Sequence, residues 1–506
     1  MTFFAGSLGG GRLQAVQRHV ESFEIAGPGF INLRLRASAR QAVVREVLAA
    51  KEQFGFQADN GQRVLVEFVS ANPTGPLHVG HGRQAALGDA ICNLFATQGF
   101  NVYREFYYND AGVQINTLAK STHFRAQGIK PGDASWPVDP ENPESKAFYN
   151  GDYIQDIATD FLAGKTVKSD DREFTASGDV NDVDGMREFA VAYLRREQDL
   201  DLKAFEVKFD HYYLESSLYT DGRVDRAVAS LQASGHTYEQ DGALWLRSTD
   251  FGDEKDRVVQ RDNGLYTYFA SDIAYHLNKY ERGFDRMINI WGADHHGYIP
   301  RVKGAVQALA LDPAKLDIAL VQFAVLYRNG EKASMSTRSG DYVTLRSLRA
   351  EVGDDACRFF YVLRKADQHL DFDLDLAKSQ SADNPVYYIQ YAHARICSLM
   401  AQWNGVEADL KDADLALLTN PREAALTAFL GRFPEVIDSA ARDLAPHQVA
   451  FYLRDLAAEF HGYYNAERML LDDAELTCAR LALSVAVRQV IRNGMALLGV
   501  SCPESM

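Results

Sequence analysis

Short apolar runs alternate along most of the chain with longer segments in which apolar residues recur every three or four positions. Residues 63–69 are apolar apart from one arginine and one glutamate and predict a buried strand, whereas residues 85–96 combine good helix formers with helical spacing. Strands are also predicted at residues 101–108 and 286–291. Because strands and helices alternate, we expect an α/β fold with a parallel sheet over residues 61–375.

From about residue 376 the apolar pattern is helical to the end of the chain. Apolar side chains repeat in two successive stripes, and Gly499 follows the second stripe as a predicted C-cap. Antiparallel helices with such stripes form a bundle, so an all-α bundle is predicted for residues 376–506. The stripes are Val449, Leu453, Leu456, Phe460 and Tyr463, and then Leu483, Val487, Val490 or Ile491, and Leu498.

Two segments fall outside this alternation. Residues 1–60 form a small leader with a Gly-rich start, and residues of about 126–215 are first polar, then helical, as expected of an insertion between the halves of the sheet. The segment Gly164-Lys-Thr166 resembles the end of a phosphate-binding P-loop. Thr159 occupies the position of the first glycine of that motif, so the P-loop interpretation is rejected.

Composition is that of an ordinary soluble chain, and 506 residues suffice for roughly two to four domains. No apolar run approaches the roughly 20 residues of a membrane helix, so we expect no membrane association. The five cysteines are scattered without a C-x-x-C pair, which argues against zinc and disulfides and predicts a reducing cytoplasm. A net charge of −16 requires a nucleic-acid-binding protein to concentrate its positive charge on one face.

The most informative segment is residues 70–83, Ser-Ala-Asn-Pro-Thr-Gly-Pro-Leu-His-Val-Gly-His-Gly-Arg, which joins the first predicted strand to the first predicted helix. Its prolines fix the turn, and its glycines allow the backbone to approach a ligand. His78 and His81 fall on one face of the first helical turn. Two imidazoles beside the free N–H groups of a helix start predict a phosphate site. The flanking strand, prolines and glycines favour this site over the alternative, a capped helix with two incidental surface histidines.

The segment His-Val-Gly-His resembles the HIGH signature of class I aminoacyl-tRNA synthetases, in the version of bacterial arginyl-tRNA synthetases. Matching stretches run from about Phe23 to the last residue. Four further segments resemble the same family in the same order: 106–115 (F-Y-Y-N-D-A-G-V-Q-I), 268–276 (Y-F-A-S-D-I-A-Y-H), 292–297 (G-A-D-H-H-G) and 384–395 (N-P-V-Y-Y-I-Q-Y-A-H-A-R).

This resemblance implies a domain organisation. It places a Rossmann nucleotide-binding catalytic domain with an insertion at residues 61–375 and an all-α anticodon-binding domain at residues 376–506. Residues 1–60 would hold only the last part of an α+β appendix that binds the tRNA elbow. The shortened front is either natural or the result of a truncated gene.

The resemblance also implies a reaction. The carboxylate of arginine attacks the α-phosphate of ATP and expels pyrophosphate, and the arginyl group then passes to the terminal adenosine of tRNA(Arg). The implied partners are L-arginine, ATP with Mg²⁺ on its phosphates, and tRNA(Arg), with neither zinc nor an organic cofactor. A cytoplasmic monomer is expected.

For ATP, the resemblance implies that His78 and His81 donate to phosphate oxygens as charge develops on them. Gly80 would let adenine or ribose lie against the backbone. The G-x-D element that holds the ribose in this class corresponds to Gly292 and Asp294, with His295 beside them.

The second class signature, a K-M-S-K-S loop, is irregular in this chain. Residues 331–340 carry Ser334 and Thr337 where the signature has its two lysines. Lys332 and Arg338 flank the loop and are the candidate catalytic cations, although a shifted lysine or an arginine is not equivalent to the original lysine. The residues on which the loop aligns, expected to contact ATP, are Met335 and Ser336.

For arginine, the pocket must satisfy a guanidinium with five donors and no acceptor, so carboxylates are its natural partners. The resemblance assigns Glu67 and Asp272 to this contact. Glu67 has no evident structural explanation in an apolar strand, whereas Asp272 could be the N-cap or first-turn acid of a helix over 272–279, and Tyr268 plain core. Such a pocket rejects neutral amino acids, so no editing domain is needed. Further contacts are implied for Ser70, Asn72, Gln114, Tyr268 and His295.

For tRNA, the resemblance implies that Phe30 and Asn32 contact the D-loop. The alternative is that Phe30 is a core residue and Asn32 a turn residue. The segment Asp355-Ala-Cys-Arg358 resembles the signature that gives the anticodon-binding domain its name. Further tRNA contacts are implied for Tyr388, Gln390, His393 and Arg395.

Two hypotheses of function follow. The first is a working arginine–tRNA ligase, and the second is a tRNA-binding paralogue that has lost activation, motivated by the missing lysines and the short front. A third, an H-x-G-H nucleotidyltransferase that does not use tRNA, is disfavoured by the C-terminal bundle.

Overall fold

The computed structural model describes residues 2–4, 20–26, 30–110, 112–136, 148–169, 172–333 and 342–506. They fall into two compact units, Asp59–Ala377 in one and Met1–Ala58 with Lys378–Met506 in the other. Within the described ranges no helix has both the length and the apolar character needed to cross a membrane.

The strands are numbered in chain order. They are β1 (Thr2–Phe4), β2 (Val20–Ala26), β3 (Phe30–Leu35), β4 (Arg63–Glu67), β5 (Asn101–Tyr108), β6 (Thr166–Ser169), β7 (Arg172–Thr175), β8 (His211–Leu214), β9 (Thr237–Gln240), β10 (Ala243–Leu246), β11 (Arg257–Gln260), β12 (Arg286–Gly292), β13 (Leu316–Val321), β14 (Ala324–Arg328), β15 (Glu331–Lys332) and β16 (Leu370–Asp373).

The α-helices are named by their bounds. They are Ala37–Ala50, Val79–Thr97, Val113–Ala126, Asp152–Leu162, Val183–Ala204, Glu215–Thr220, Arg223–Ala233, Tyr268–Glu281, Ile299–Ala308, Leu345–Val352, Asp354–Val362, Leu374–Lys378, Pro385–Gln402, Pro421–Arg442, His447–Ala466 and Ala474–Leu497. Short 3₁₀ helices occupy Lys51–Gln53, Ser248–Phe251, Ala293–Tyr298, Pro313–Lys315, Glu407–Asp412 and Leu415–Leu417.

A five-stranded sheet in the order β13-β12-β4-β5-β8 organises the Asp59–Ala377 unit. Every neighbouring pair in it is parallel, as the alternating pattern of strands and helices predicts. The chain moves from β4 outward through β5 and β8, and then returns to place β12 on the other side of β4. The carboxyl ends of β4 and β12 therefore flank the point where the strand order reverses, which is where sheets of this kind bind ligands.

The segment between β5 and β8 has its own apolar core, centred on Phe161 and Phe189, whose rings lie 5.6 Å apart. The sequence-based boundary of this insertion at about residue 215 is too late, because β8 pairs with β5 in the central sheet. Gly164 lies in a turn that leads into β6 and not into a helix, in agreement with the rejection of a P-loop there.

The C-terminal part of the second unit is the predicted helical bundle. Every member of the two apolar stripes is buried, and Gly499 follows the last helix with a φ of 66°, as a C-terminal cap requires. The helix Ala37–Ala50, which sequence analysis placed in the N-terminal leader, also packs on this bundle. Its Val44 and Val47 are buried, and Phe54 just beyond it stacks on Phe433 with ring centroids 6.1 Å apart.

Two bundle helices are in close contact at Gly494. A Cβ on Gly494 would lie 2.6 Å from Cδ2 of Leu453, whereas a Cβ on Gly431, in an exposed helix position, would meet no atom within 4 Å. The two glycines are thus matched in helical context and opposite in packing.

We expect Gly494→Ala to lower the midpoint of thermal unfolding and Gly431→Ala to raise it slightly. Alanine favours a helix over glycine by about 1 kcal/mol at both sites, but overpacking at Gly494 costs about 1–3 kcal/mol. Differential scanning calorimetry of both variants tests this expectation. Equal upward shifts would show that the helix contact at Leu453 relaxes without cost.

Candidate functional site

Both sequence motifs lie at the switch point of the central sheet. The histidine segment follows β4, the G-A-D-H-H-G segment ends β12, and together they border an open cleft of about 600 Å³. The described residues of three predicted groups meet in this cleft: the histidine pair, the Gly292–His295 loop and the polar residues around Glu67. The cleft lining includes Glu67, Ser70, Asn72, His78, Gly80, His81, Tyr268, Asp272, Gly292, Asp294 and His295.

The two motif histidines form a stacked pair, with ring centroids 3.6 Å apart and an angle of 20° between the planes. His78 is the N-cap of the helix Val79–Thr97, and its Nδ1 accepts from the backbone N–H groups of Gly80 (3.1 Å) and His81 (3.3 Å). The Nδ1 of His81 in turn accepts from the backbone N–H of His78 at 3.3 Å. Since both Nδ1 atoms are acceptors, each neutral ring carries its proton on Nε2.

Burial keeps both rings uncharged. It lowers the pKa of His78 from 6.5 to about 4 and the pKa of His81 well below its usual value, with His78 adding to the effect on His81. The sequence-based picture of free helix N–H groups at this site is wrong, because His78 occupies two of them and the carbonyl of Val343 accepts from Val79 at 3.2 Å. The hydrogen-bond donors left to the pair are therefore two neutral Nε2–H groups.

Two other residues of the motif have structural tasks. A Cβ on Gly80 would lie 2.9 Å from Cε1 of His78, so glycine at this position makes room for the capping ring. Arg83 is fully buried and donates to the carbonyls of Gln322 (2.6 Å), Gln368 (2.8 Å) and Lys365 (2.9 Å). The arginine of the motif thus joins the helix Val79–Thr97 to the chain around β13 and β16.

The second loop presents its polar groups to solvent at the cleft. Asp294 and His295 are each more than half exposed, and Oδ2 of Asp294 lies 3.8 Å from Nε2 of His295. A Cβ on Gly292 would lie 2.5 Å from Oδ1 of Asp294, so this glycine allows the carboxylate to fold back over the end of β12.

Glu67 forms an ion pair with a lysine that the sequence pattern of β4 does not indicate. Nζ of Lys279, in the helix Tyr268–Glu281, lies 2.5 Å from Oε2 of Glu67, and both residues are buried. The hydroxyl of Ser70 donates to Oε1 of Glu67 at 2.9 Å and accepts from the backbone N–H of Tyr107 at 3.1 Å. The statement that Glu67 lacks a structural explanation is therefore wrong, although the residue also lines the cleft.

The backbone between Glu67 and the histidines is strained. Val69 and Ser70 have φ values of 68° and 40°, in the left-handed region that non-glycine residues, and β-branched ones above all, rarely adopt. This turn brings the Ser70 side chain back onto Glu67. Farther along, the Asn72 side-chain amide donates to Oε1 of Gln114 at 2.6 Å, so two predicted arginine contacts are held together.

Asp272 is not a helix cap. The helix begins at Tyr268, which places Asp272 in its second turn, where it accepts a hydrogen bond from the hydroxyl of Tyr298. Burial raises the pKa of Asp272 to about 6. Tyr268 is 52% exposed at the cleft, so the alternative that it is plain core is also wrong.

Of the residues predicted to act in the irregular loop, Lys332 is the one that lies among the described residues. Lys332 ends β15, is exposed, and shares a smaller cavity of about 380 Å³ with His78, Phe323 and Tyr342. The remaining predicted residues of this loop, Ser334, Met335, Ser336, Thr337 and Arg338, lie outside the described residues.

The predicted tRNA contacts divide into two groups. Phe30 and Asn32 are exposed on β3, so the alternatives of a core residue and a turn residue are wrong. Gln390 and His393 are instead buried, and they donate to the carbonyls of Ser501 (3.0 Å) and Pro503 (2.9 Å). Their predicted contact with tRNA does not fit this structure, because both side chains bind the C-terminal segment.

The other two predicted tRNA residues remain at the surface of the bundle. Tyr388 is partly buried against His461, with ring centroids 4.5 Å apart. Arg395 donates to Oδ1 of Asn465 at 2.8 Å and lies over the ring of Tyr464. The segment Asp355–Arg358 belongs to the other unit, where Arg358 is buried 2.5 Å from Asp89.

Sequence reasoning missed the buried polar residues behind the cleft. They are Lys279, Asn289 and His276, of which His276 also lines the cleft. Lys279 and His276 lie in the helix whose sequence indicated only Tyr268 and Asp272 as site residues. A lysine seven residues after Asp272 lies on the same helix face, which was the available signal.

Comparison with known proteins identifies the family. The model of class I tRNA synthetase catalytic domains of the arginine type matches residues 43–379, and the DALR anticodon binding domain matches residues 389–506. The chain is thus a class I aminoacyl-tRNA synthetase by fold and site.

Individual relatives agree with the family match. An arginine–tRNA ligase of Delftia acidovorans is 61% identical over 97% of this chain and 87% of its own length. The Thermus thermophilus arginyl-tRNA synthetase superimposes with a TM-score of 0.74 at 25% identity, covering 97% of this chain and 89% of that one. A solved Campylobacter jejuni structure superimposes with a TM-score of 0.84 at 33% identity, covering 93% of this chain and 100% of that one. The protein belongs to the arginyl-tRNA synthetase family, which confirms the predicted family and fold class.

We expect the His78 ring to stay neutral down to about pH 5, with the proton on Nε2. Nitrogen NMR of histidine-labelled protein reports both properties. Because the folded pKa lies below the unfolded value of 6.5, the unfolded chain takes up the proton first, so this residue reduces stability as pH falls from about 6.5 to about 4. A His78 signal that titrates near pH 6.5 would contradict the capped geometry.

Proposed function

We propose that the protein is an arginine–tRNA ligase, which activates L-arginine with ATP and transfers it to the terminal adenosine of tRNA(Arg). The observation that carries this proposal is the joining of two chemically distinct subsites in one cleft. Neutral histidine donors line one part, and carboxylates and amides line another. Since the cleft lies at the switch point of a class I catalytic domain, these subsites suit ATP phosphates and a guanidinium, respectively.

The first half-reaction needs little covalent chemistry from the protein. A carboxylate oxygen of arginine forms a bond to the α-phosphorus of ATP, and the bond to the bridging oxygen of pyrophosphate breaks. Positioning and charge stabilisation dominate such a step. The Nε2–H groups of His78 and His81 donate to the phosphate oxygens, while Asp294 accepts from the ribose hydroxyls and His295 lies beside it.

Neutral donors suit this task. A pair of stacked imidazolium ions would repel each other, and the buried site favours the uncharged rings. Preorganised neutral donors stabilise developing charge without having to reorganise during the reaction. Magnesium bound to the ATP phosphates would neutralise part of their charge. Among the described residues, no group of three or more His, Cys, Asp or Glu side chains is placed to hold a metal ion.

The arginine side chain enters between Asp272 and Tyr268. Asp272 supplies a carboxylate for a charge-assisted hydrogen bond, and the exposed Tyr268 lines the same cleft. Asn72, held by Gln114, and Ser70 add polar contacts. The hydroxyl of the tRNA's terminal ribose then attacks the activated carbonyl, and AMP leaves. Phe30, Asn32, Tyr388 and Arg395 are the surface residues proposed to contact tRNA.

All five cysteines are free thiols, which is consistent with a cytoplasmic protein. The irregular loop motivated the alternative of an impaired paralogue. No described feature of the cleft favours that alternative.

The direct test is arginine-dependent exchange of pyrophosphate into ATP, run with and without tRNA, together with charging of tRNA by labelled arginine. L-Citrulline, the neutral isostere of arginine, is the matched control substrate. Charging with arginine and not with citrulline supports the proposal. A protein that binds tRNA but neither exchanges nor charges would establish the paralogue instead.

His78→Asn separates the two tasks of this residue. Asparagine is an equally good N-cap, so the helix should keep its start, but the Nε2–H donor disappears. We expect kcat for charging to fall by about 100-fold or more at nearly unchanged thermal stability. His369→Asn, at an exposed position of the same unit, is the control. A parental rate in His78→Asn would exclude the donor role.

Lys332→Ala tests the irregular loop. If Lys332 faces the departing pyrophosphate, its charge acts mainly in the transition state, so exchange should slow by about tenfold or more while the KM for arginine stays unchanged. Lys315→Ala is the matched control, because Lys315 is exposed just before β13, at the opposite end of that strand from the cleft. Exchange within about twofold of the parent would assign the missing charge to another residue.

A further inference from the structure

A buried polar network lies directly behind the arginine subsite. Its centre is Lys279, which has no exposed surface. The ammonium group of Lys279 contacts Oε2 of Glu67 at 2.5 Å and Oδ1 of Asn289 at 2.7 Å, and it lies 4.3 Å from the centroid of the Tyr275 ring. The lysine is thus held from three sides by an anion, an amide oxygen and a π face.

The network continues to Asp272. The side-chain amide of Asn289 donates to Nε2 of His276 at 2.8 Å, and Nδ1 of His276 donates to the backbone carbonyl of Asp272 at 2.7 Å. A carbonyl can only accept, so the His276 tautomer is fixed, and with it the orientation of the Asn289 amide. Burial lowers the pKa of His276 to about 3, which leaves Lys279 and Glu67 as the charged members.

The charges of this region balance in a particular way. Lys279 cancels Glu67, whereas Asp272 accepts a hydrogen bond from Tyr298 and has no ion-pair partner among the described residues. Glu67 therefore adds no net charge to the subsite, and Asp272 is left as a carboxylate that a guanidinium can neutralise. Without Lys279, Glu67 would add a further uncompensated negative charge beside Asp272.

We propose that Lys279 is a positioning residue for arginine recognition. It fixes Glu67 as a charge-compensated hydrogen-bond acceptor and leaves Asp272 as the carboxylate that pairs with the substrate guanidinium. This inference rests on the proposed arginine–tRNA ligase activity. It also changes the effect expected when the charge of Glu67 is removed. Removing the charge of Glu67 does not simply weaken one substrate contact, because it leaves the Lys279 ammonium unpaired immediately behind a cationic substrate.

The experiment compares Glu67→Gln with the double variant Glu67→Gln/Lys279→Met. In the single variant the unpaired ammonium opposes arginine, so we expect its KM to rise by at least about tenfold at unchanged KM for ATP. The double variant restores the net charge of the parent subsite. We expect it to recover most of that loss, although it carries one more substitution.

Citrulline supplies a readout that a merely structural role would not move. Citrulline is used as a competitive inhibitor, and it lacks the positive charge that an unpaired Lys279 ammonium would repel. The Glu67→Gln variant should therefore lose affinity for arginine and keep its affinity for citrulline. The double variant should regain the preference for arginine. A double variant that is no better than Glu67→Gln, or worse, overturns the proposal, because Lys279 would then have no bearing on arginine recognition beyond packing.

Asp89→Asn is the matched control. Asp89 is a buried carboxylate of the same unit that pairs with Arg358 and Arg104 and does not line the cleft. Its loss should reduce thermal stability without changing the ratio of arginine to citrulline affinity. If Glu67→Gln fails to fold, the double variant decides alone: an arginine KM within about tenfold of the parent supports the proposal, and a larger loss at unchanged KM for ATP overturns it. Absence of charging by the parent protein would instead refute the ligase function itself.

Discussion

Parallel pairing of β4 with strands on both of its sides is the constraint on which the site depends. β4 pairs with β5 on one edge and with β12 on the other. After β4 the chain forms β5 and β8 on one side of it, and then β12 and β13 on the other side. The histidine segment and the G-A-D-H-H-G segment are more than 200 residues apart in sequence. They face one cleft because these two adjacent strands end at the same edge of the sheet.

The elements that could be predicted are those whose signal is local. β5 was predicted at its observed bounds, and the bundle stripes and the cap at Gly499 follow from helical spacing alone. Partners distant in sequence gave no such signal. Glu67 and Lys279 are 212 positions apart, and the leader helix Ala37–Ala50 finds its partners only after more than 350 residues. A single sequence shows the apolar pattern of each helix or strand, but it does not show which other helix or strand packs against it.

The candidate site shows the same division between residue type and environment. The motif predicted His78 and His81 as phosphate donors by their spacing, but their charge state, tautomer and capping role depend on burial and on backbone groups that only the fold supplies. For Gln390 and His393 the residue type led to a prediction that the structure does not fit. Their polar side chains suggested a binding surface, whereas the carbonyls of the C-terminal segment satisfy them inside the bundle. Polarity indicates that a group needs a partner, without saying which one.

The turn after β4 carries a consequence for the evolution of this protein. Left-handed backbone at Val69 and Ser70 costs on the order of 1–3 kcal/mol for each residue, and it persists only because surrounding contacts enforce it. Glycine at Val69 would relieve that strain, yet it would also free the segment that presses the Ser70 hydroxyl onto Glu67. Backbone stability and a fixed placement of the Ser70 hydroxyl on Glu67 therefore place opposite demands on this one backbone position.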